Sequence, residues 1–542
     1  MINEVDLPIG WVIGDLGDVC DILDSQRIPI NAGERKKRIA KKSETELYPY
    51  YGATGEVGKI DDYIFDGQFV LLGEDAAPFF DSSKDTAYLA KGKFWVNNHA
   101  HIIKSSILNE SFLCFFLNQF NFEGYVSGTT RLKLPQGSMK QIPIKIPSVN
   151  EQNRIVDKIE TLFSEVDAGI ANLTLAKRQL EQYRQSLLKH AFEGKLTAKW
   201  REEYAEKHGK TLPSADELLE QIQTARQDYY DQQIADWEQA VEAWEEQGKE
   251  GKKPRKPNAL KKLESIADLN EINLSKLPSS WLWERLGLMT LSVEYGTSTK
   301  SEKQGLVPVL RMGNMQNGII DWDDLVFTSD TDEIEKYALK KGDVLFNRTN
   351  SPELVGKTSI ILSDTKAIFA GYLIRVNQLD FIVYSKYLNY FLGSHIAKQY
   401  GNFVKTDGVN QSNINGQKLM NYPFPYCSLD EQVLIVAELD RKIGTADKFK
   451  EEIESTIKKL VNLKISILHK AFQGKLVPQD PNDPPASELL AQIKAEREAK
   501  ALAEKQAKQD KAKSKSKTKT KSATTAKKPK KPKKDEQITL PL

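Results

Sequence analysis

The spacing of apolar positions divides the chain into two kinds of segment, and each kind occurs twice. Ile155, Ile159, Leu162, Val166, Gly169, Leu173, Ala176, Leu180, Tyr183 and Leu187 step by alternating four and three residues. That 3.5-residue period predicts a long helix with one seam packed against another helix. Ile435, Leu439, Ile443, Ala446, Phe449, Ile453, Ile457, Leu460 and Ile467 give a second, less regular seam. Each helix is roughly 40 residues, hence about 60 Å at 1.5 Å per residue. Ser148 and Asn150 before Glu151, and Ser428 and Asp430 before Glu431, are helix-start signals. Gly194 and Gly474 sit where a C-cap glycine would. The other kind of segment reads as mixed α/β. Phe69–Leu72, His101–Lys104, Val307–Met312, Asp343–Asn347 and Thr358–Leu362 are short apolar runs bounded by Gly and Asn turns, which predict strands. Phe112–Asn118 and Ser385–Tyr400 have helical period.

The alternation is a duplication. LPIGW (Leu7–Trp11) returns as LPSSW (Leu277–Trp281), EQNRIV (Glu151–Val156) as EQVLIV (Glu431–Val436), and LKHAFEGKL (Leu188–Leu196) as LHKAFQGKL (Leu468–Leu476). LPSADELLEQI (Leu212–Ile222) returns as PPASELLAQI (Pro484–Ile493). The matches keep one order, and a period this long excludes a solenoid. Two divergent modules therefore stand on two similar helical scaffolds. Two such helices in one chain can pack antiparallel and bury both seams.

Charge placed along the chain changes the picture. The net charge of +2 hides a tail, Lys505–Lys534, with 14 lysines against one acid. It also hides a block, Arg201–Glu250, with 14 acids against five Lys/Arg. The tail is disordered by composition and suited to sequence-independent phosphate contact. The acidic block, with Trp237 and Trp244, reads as a charged helical arm, either an idle solvated helix or one that touches a partner. Three widely spaced cysteines, Cys20, Cys114 and Cys427, argue against a disulfide framework or zinc site. Without a signal peptide or a spanning segment, a cytoplasmic location is expected.

Catalytic motifs are missing. GKTS (Gly356–Ser359) lacks the glycine a phosphate loop needs five residues earlier, where Ser351 stands. NYPF (Asn421–Phe424) and DPPA (Asp483–Ala486) fall short of the Asn/Asp-Pro-Pro-aromatic signature of amino-methyltransferases. His99 and His101, two apart on a strand face, have no third ligand nearby, so no metal is expected.

Loops suited to DNA are present. They combine Arg and Lys for phosphate with amide and hydroxyl groups for base edges. In the first module the candidates are Arg35, Lys36, Lys37 and Arg38, then Thr129, Thr130, Arg131 and Lys133 of GTTRLKLPQG (Gly128–Gly137). In the second they are Thr297, Ser298 and Lys300; Asn347, Arg348, Asn350 and Lys357; and Lys405, Asn410, Gln411 and Asn413. Arg131 and Gln411 are equivalent through the repeat. Any one of these residues is as readily a solvated loop residue; the paired positions make the joint case.

With these motifs in view, the layout resembles the specificity subunits of type I restriction–modification systems. LPxxW opening each module, Gly128–Val156, Gly342–Lys357 and the two AF-[EQ]-G-KL ends carry the resemblance, which covers about residues 1–500. It implies an α+β fold. Two mixed α/β target recognition domains alternate with two long antiparallel coiled-coil regions, in a pseudo-two-fold tandem repeat with a disordered Lys-rich C-terminal tail. The corresponding division is 1–147 and 271–427 for the recognition domains, and 148–199 and 428–504 for the helical regions. Residues 200–270 form the charged arm and linker, and 505–542 the tail. It also implies a non-catalytic subunit that reads an asymmetric, bipartite site in double-stranded DNA, with the helices setting the spacer. Its partners would be two methyltransferase subunits and restriction/translocase subunits, and no membrane. S-adenosylmethionine, ATP and Mg would belong to those partners, with no cofactor in this chain. The competing readings are a coiled-coil adapter without DNA specificity and a fused specificity–methyltransferase.

Overall fold

The computed structural model describes residues 7–81, 83–105, 107–257, 259–260, 266, 273–499, 502–503 and 506. The tail therefore lies outside the described residues, apart from Gln506. The chain divides into two compact units, residues 1–172 with 455–542, and residues 173–454. Both cuts fall inside the long helices, Val149–Phe192 and Leu429–Ala471.

In the first unit a six-stranded sheet has the order Asp21–Ile22, Ala100–Lys104, Phe65–Gly73, Ala87–Val96, Tyr48–Gly52, Gly55–Ile60. Its central strand is buried from Phe69 to Gly73, which is why that stretch reads as a continuous apolar run. The helix Glu110–Gln119 packs on the sheet and is capped by Asn109, whose side chain accepts from Ser111 and Phe112 N–H. Strands Val12–Asp15 and Pro143–Ile146 pair antiparallel and bring the module's two ends together at the start of the long helix.

The second unit also has a six-stranded sheet, but its edge hairpin joins by its second strand where that of the first unit joins by its first, and it adds two three-stranded sheets. Its six-stranded sheet runs Thr290–Tyr295, Leu373–Gln378, Val344–Asn347, Thr358–Ile360, Ile319–Ile320, Met315–Gln316. Leu282–Arg285 and Pro423–Tyr426 form the closing ribbon. The helical period over 385–400 becomes two helices, Ser385–Leu392 and His395–Val404, because Ser394 caps the second through Ala397 N–H. Ala215–Glu246 is a 32-residue helix opened by a capping box of Ser214 and Glu217.

The repeated motifs meet, but not within their own halves. In the first unit Phe472, from the end of the second long helix, packs edge-on against Phe112 and Phe116 at 5.1 and 5.3 Å. In the second unit Phe192, from the end of the first long helix, packs against Tyr387 and Phe391 at 5.2 and 5.3 Å. Gly194 ends its helix at φ +71°, and a side chain there would strike Pro278. Gly474, at φ +67°, meets Pro8 in the same way. So the LPxxW of one half receives the AFxGKL of the other.

The repeated Glu-Gln pair also has its reason. Gln152 donates to Pro147 O and accepts from Asn109 N–H, while Gln432 donates to Cys427 O and accepts from Tyr384 N–H. Each buried glutamine fastens a long helix to the backbone of its module.

Each unit holds one stretch of the helix pair. Lys464 pairs with Asp167 in the first unit, at 2.5 Å. Lys177–Glu454 and Arg184–Asp447 pair in the second, at 2.7 and 3.2 Å. In the second unit one helix ascends as the other descends, so these stretches run antiparallel. Among the described residues, no helix is long and apolar enough to cross a membrane.

Candidate nucleic-acid interface

The two equivalent loops are built differently. In the first module Ser127 and Lys133 exchange two backbone hydrogen bonds of 2.8 Å, so residues 128–132 project as a tight loop. Gly128 makes this turn at φ +97°, where an added side chain would strike the Arg131 carbonyl. Thr129, Thr130, Arg131 and Lys133 are exposed. Arg131 reaches Asp75 at 3.0 Å and Lys133 reaches Glu74 at 3.1 Å. The cationic ends of these pairs are solvent-exposed while both carboxylates are largely buried, so each cation is held at the surface over a fixed charge. Leu134, at the loop's end, is fully buried and donates its N–H to Glu74 O.

Under this loop lies a buried ionic cluster. His101 places Nδ1 2.6 Å from Asp24 Oδ2 and Nε2 2.9 Å from Leu134 O. Asp24 also accepts from Ile102 N–H and the Gln136 amide. Arg27 bonds Glu74 at 2.6 Å and the Ala100 carbonyl at 3.0 Å. Burial pushes both carboxyls up, but it is outweighed. The hydrogen bond and charge of His101, with Ile102 N–H and Gln136, hold Asp24 below its ordinary range. Arg27, His101 and Lys133 do the same for Glu74. The expectation that no third group lies near the two histidines is corrected here. Asp24, Glu74 and His101 bring ligand-type atoms within 4.8 Å of one another. Those atoms already face protein donors and acceptors. His99 does not share the face of His101; it points outward to Asp75 at 2.7 Å.

The second module joins loops far apart in sequence. Ser412–Asn413 pairs with Thr349–Asn350 on one side and Thr406–Asp407 on the other. This small sheet gathers Arg348, Asn350, Lys405, Asn410, Gln411 and Asn413 on one part of the module. Asn413 donates to the Thr349 hydroxyl at 2.8 Å, and Lys405 to the Pro352 carbonyl at 3.3 Å. The Arg348 guanidinium lies over the Tyr295 ring, 4.7 Å from its centroid. Asn410 and Gln411 are exposed at the turn, beside a fully exposed Val409.

Other candidates are placed differently. Asn347 is fully buried, and its carbonyl accepts from Gly356 N–H, so it shapes the turn and offers no surface. Thr297 is buried too, its hydroxyl accepting from Thr299 N–H, while Ser298 and Lys300 beside it are exposed. Burial lowers the Lys357 ammonium below its ordinary value. In the helix Ala32–Ile39, Arg35 lies over Tyr50 and Arg38 pairs with Asp61 over Trp95. Lys36 and Lys37 are the exposed members. The contacts of this helix go to the far edge of the sheet and not to the Gly128–Gly137 loop. Sequence reasoning missed Tyr295 and the Asp24–Arg27–Glu74 cluster, since neither has a local motif.

Residues 8–174 and 294–459 match the family model of the type I restriction modification DNA specificity domain. The two matches fall on the two modules with their helices and span more than half of the chain, which belongs to this family. The adapter reading without DNA specificity is thereby set aside. The chain is 25% identical over 416 residues to the EcoKI specificity subunit of Escherichia coli K12, covering 74% of this chain and 71% of that one. It is 24% identical over 509 residues to the EcoDI specificity subunit of Escherichia coli, covering 91% and 96%. A stretch of 182 residues is 32% identical to a putative type I specificity subunit of Haemophilus influenzae, covering 32% of this chain and 45% of that relative. Among solved structures, a chain from work on the assembly and conformational transition of the type I restriction–modification system superposes with a TM-score of 0.55. It is 17% identical and covers 87% of this chain and 99% of that one, a likeness of fold.

Proposed function

We propose that this chain is the non-catalytic subunit that gives a type I restriction–modification complex its target. It would read an asymmetric, bipartite site in double-stranded DNA. The observation that carries the reading is the pair of equivalent loops, Gly128–Gly137 and 408–417. They present different polar side chains from the same place in two unlike modules: Thr129, Thr130, Arg131 and Lys133 against Asn410 and Gln411. The same position with different donors and acceptors is what two different half-sites require.

The paired helices suit the role of a coiled-coil spacer. Half-sites one helical turn apart are separated by about 34–36 Å, which a helix of about 60 Å can bridge. Leu175, Tyr183 and Phe449 are exposed apolar residues on the helices of the second unit, and they suit docking of methyltransferase subunits. Methyl transfer, ATP hydrolysis and cleavage would belong to methyltransferase and restriction subunits, with their S-adenosylmethionine, ATP and Mg. Co-expression with the methyltransferase subunits, followed by genome-wide mapping of methylated adenine, tests the reading. A bipartite motif is expected. Methylation without a bipartite motif, or none that depends on this chain, would refute it.

A further inference from the structure

The buried His101 has an unusual pair of partners. Its Nδ1 faces a carboxylate oxygen of Asp24 at 2.6 Å, and its Nε2 faces the Leu134 carbonyl at 2.9 Å. Both are acceptors without a proton to give. A neutral imidazole carries one N–H, so both contacts are hydrogen bonds only when the ring is an imidazolium. The surroundings suit that charge. Asp24 and Arg27 face the ring from the turn after Asp21–Ile22, and Glu74 from the end of Phe65–Gly73, with a carboxylate oxygen 3.9 Å from Nδ1. Lys133 and Gln136 approach from the loop, held by Glu74 and Asp24. The Asp75–His99–Arg131 group stands next to these.

We propose that His101 is the positioning residue for target reading in the first module: as an imidazolium it ties the end of the Gly128–Gly137 loop to Asp24 and so fixes the pose of Arg131 and Lys133. This rests on the reading of that loop as a DNA contact. A side chain that donates from one side only leaves either Leu134 O or Asp24 without its partner, and one anchor of the loop is lost. The second module is anchored in another way. Its equivalent residue, Ile414, is held by its N–H on the Arg348 carbonyl. Gly416 N–H bonds the Tyr295 hydroxyl at 2.8 Å.

The test uses the assembled methyltransferase complex and duplexes carrying its mapped target. Discrimination is read as the ratio of affinities for matched and single-substituted sites, in each half-site. Arg131→Ala identifies the half-site read by the first module. At that half-site, His101→Gln should lower discrimination about tenfold, the worth of about one hydrogen bond. The other half-site should stay constant and report that the protein is folded. Asp24→Asn, which removes the charge facing the ring, should lower discrimination in the same half-site only. Wild-type discrimination in His101→Gln while Arg131→Ala is impaired overturns the proposal. Should Arg131→Ala and Lys133→Ala alter neither half-site, the loop is not a reader, and that reading fails together with the proposal.

Discussion

Glu151 and Glu431 stand in equivalent first turns of the two long helices and carry their charge differently. Glu431 is 1% exposed, accepts from Thr197 and Trp281, and is ion-paired with Arg201. Removing Arg201 strands that carboxylate. Arg201→Ala should cost about 3–5 kcal/mol in chemical denaturation, the usual effect of breaking a buried pair. Glu151 has a weaker set of partners. Burial raises its carboxyl above the ordinary value, against Trp11 and Arg154, which lower it. A raised carboxyl contributes stability below its unfolded value of about 4.5 and loses it as pH rises through the folded value. Glu151→Gln should therefore be tolerated at neutral pH. Asp24 and Glu74 have the opposite sign. Their lowered values contribute stability above 3.8 and 4.5, lost as pH falls through the folded values. Melting followed from pH 7 to pH 3 should drop more steeply in the native chain than in Glu74→Gln.

The long helices belong to the scale of elements, and here the sequence reads well at the ends and less well in the middle. Ile155, Ile159, Ile435 and Leu439 are buried as the seam requires. Tyr183 and Phe449 lie on the same seam yet are 44% and 54% exposed, because a two-helix pair covers each apolar stripe on one side only. The strands Phe65–Gly73 and Ala100–Lys104 contain the runs that marked them. The pairing of Ser412–Asn413 with Thr349–Asn350 has no local signal, since it joins turns about 60 residues apart. Nor does polarity tell a turn-shaping Asn347 from a presenting Asn410; only burial separates them. One heptad inserted in both helices, after Asn172 and before Ser455, adds about 10.5 Å of helix. Methylation mapping should then show a spacer longer by about three base pairs. An unchanged spacer would show that the helices do not set it.

At the scale of the whole molecule, the balanced charge averages regions with separate tasks. The helix Ala215–Glu246 carries ten carboxylates and one arginine, Arg226, which is buried. The basic stretch after it folds back, with Lys253 over Trp244, Lys256 over Trp237, and Trp237 donating to the Pro254 carbonyl. The arm thus masks part of its own charge, which composition alone does not reveal.

The exchanged helix ends bear on how such a molecule can break its symmetry. A fragment of residues 1–210 keeps one reader and one long helix. Its Phe112 and Phe116 lack Phe472, and its Phe192 lacks Tyr387 and Phe391. Since Phe192 and Phe472 are equivalent, two copies can each fill the other's empty slot, as in a closed two-fold dimer. Light scattering should find the fragment dimeric at micromolar concentration, and a monomer there would refute this. Its two readers would be identical, so its target would be a palindrome. Joining the copies in one chain keeps the reciprocal closure intact and leaves each module free to drift, and on the proposed function a lopsided target would be the result.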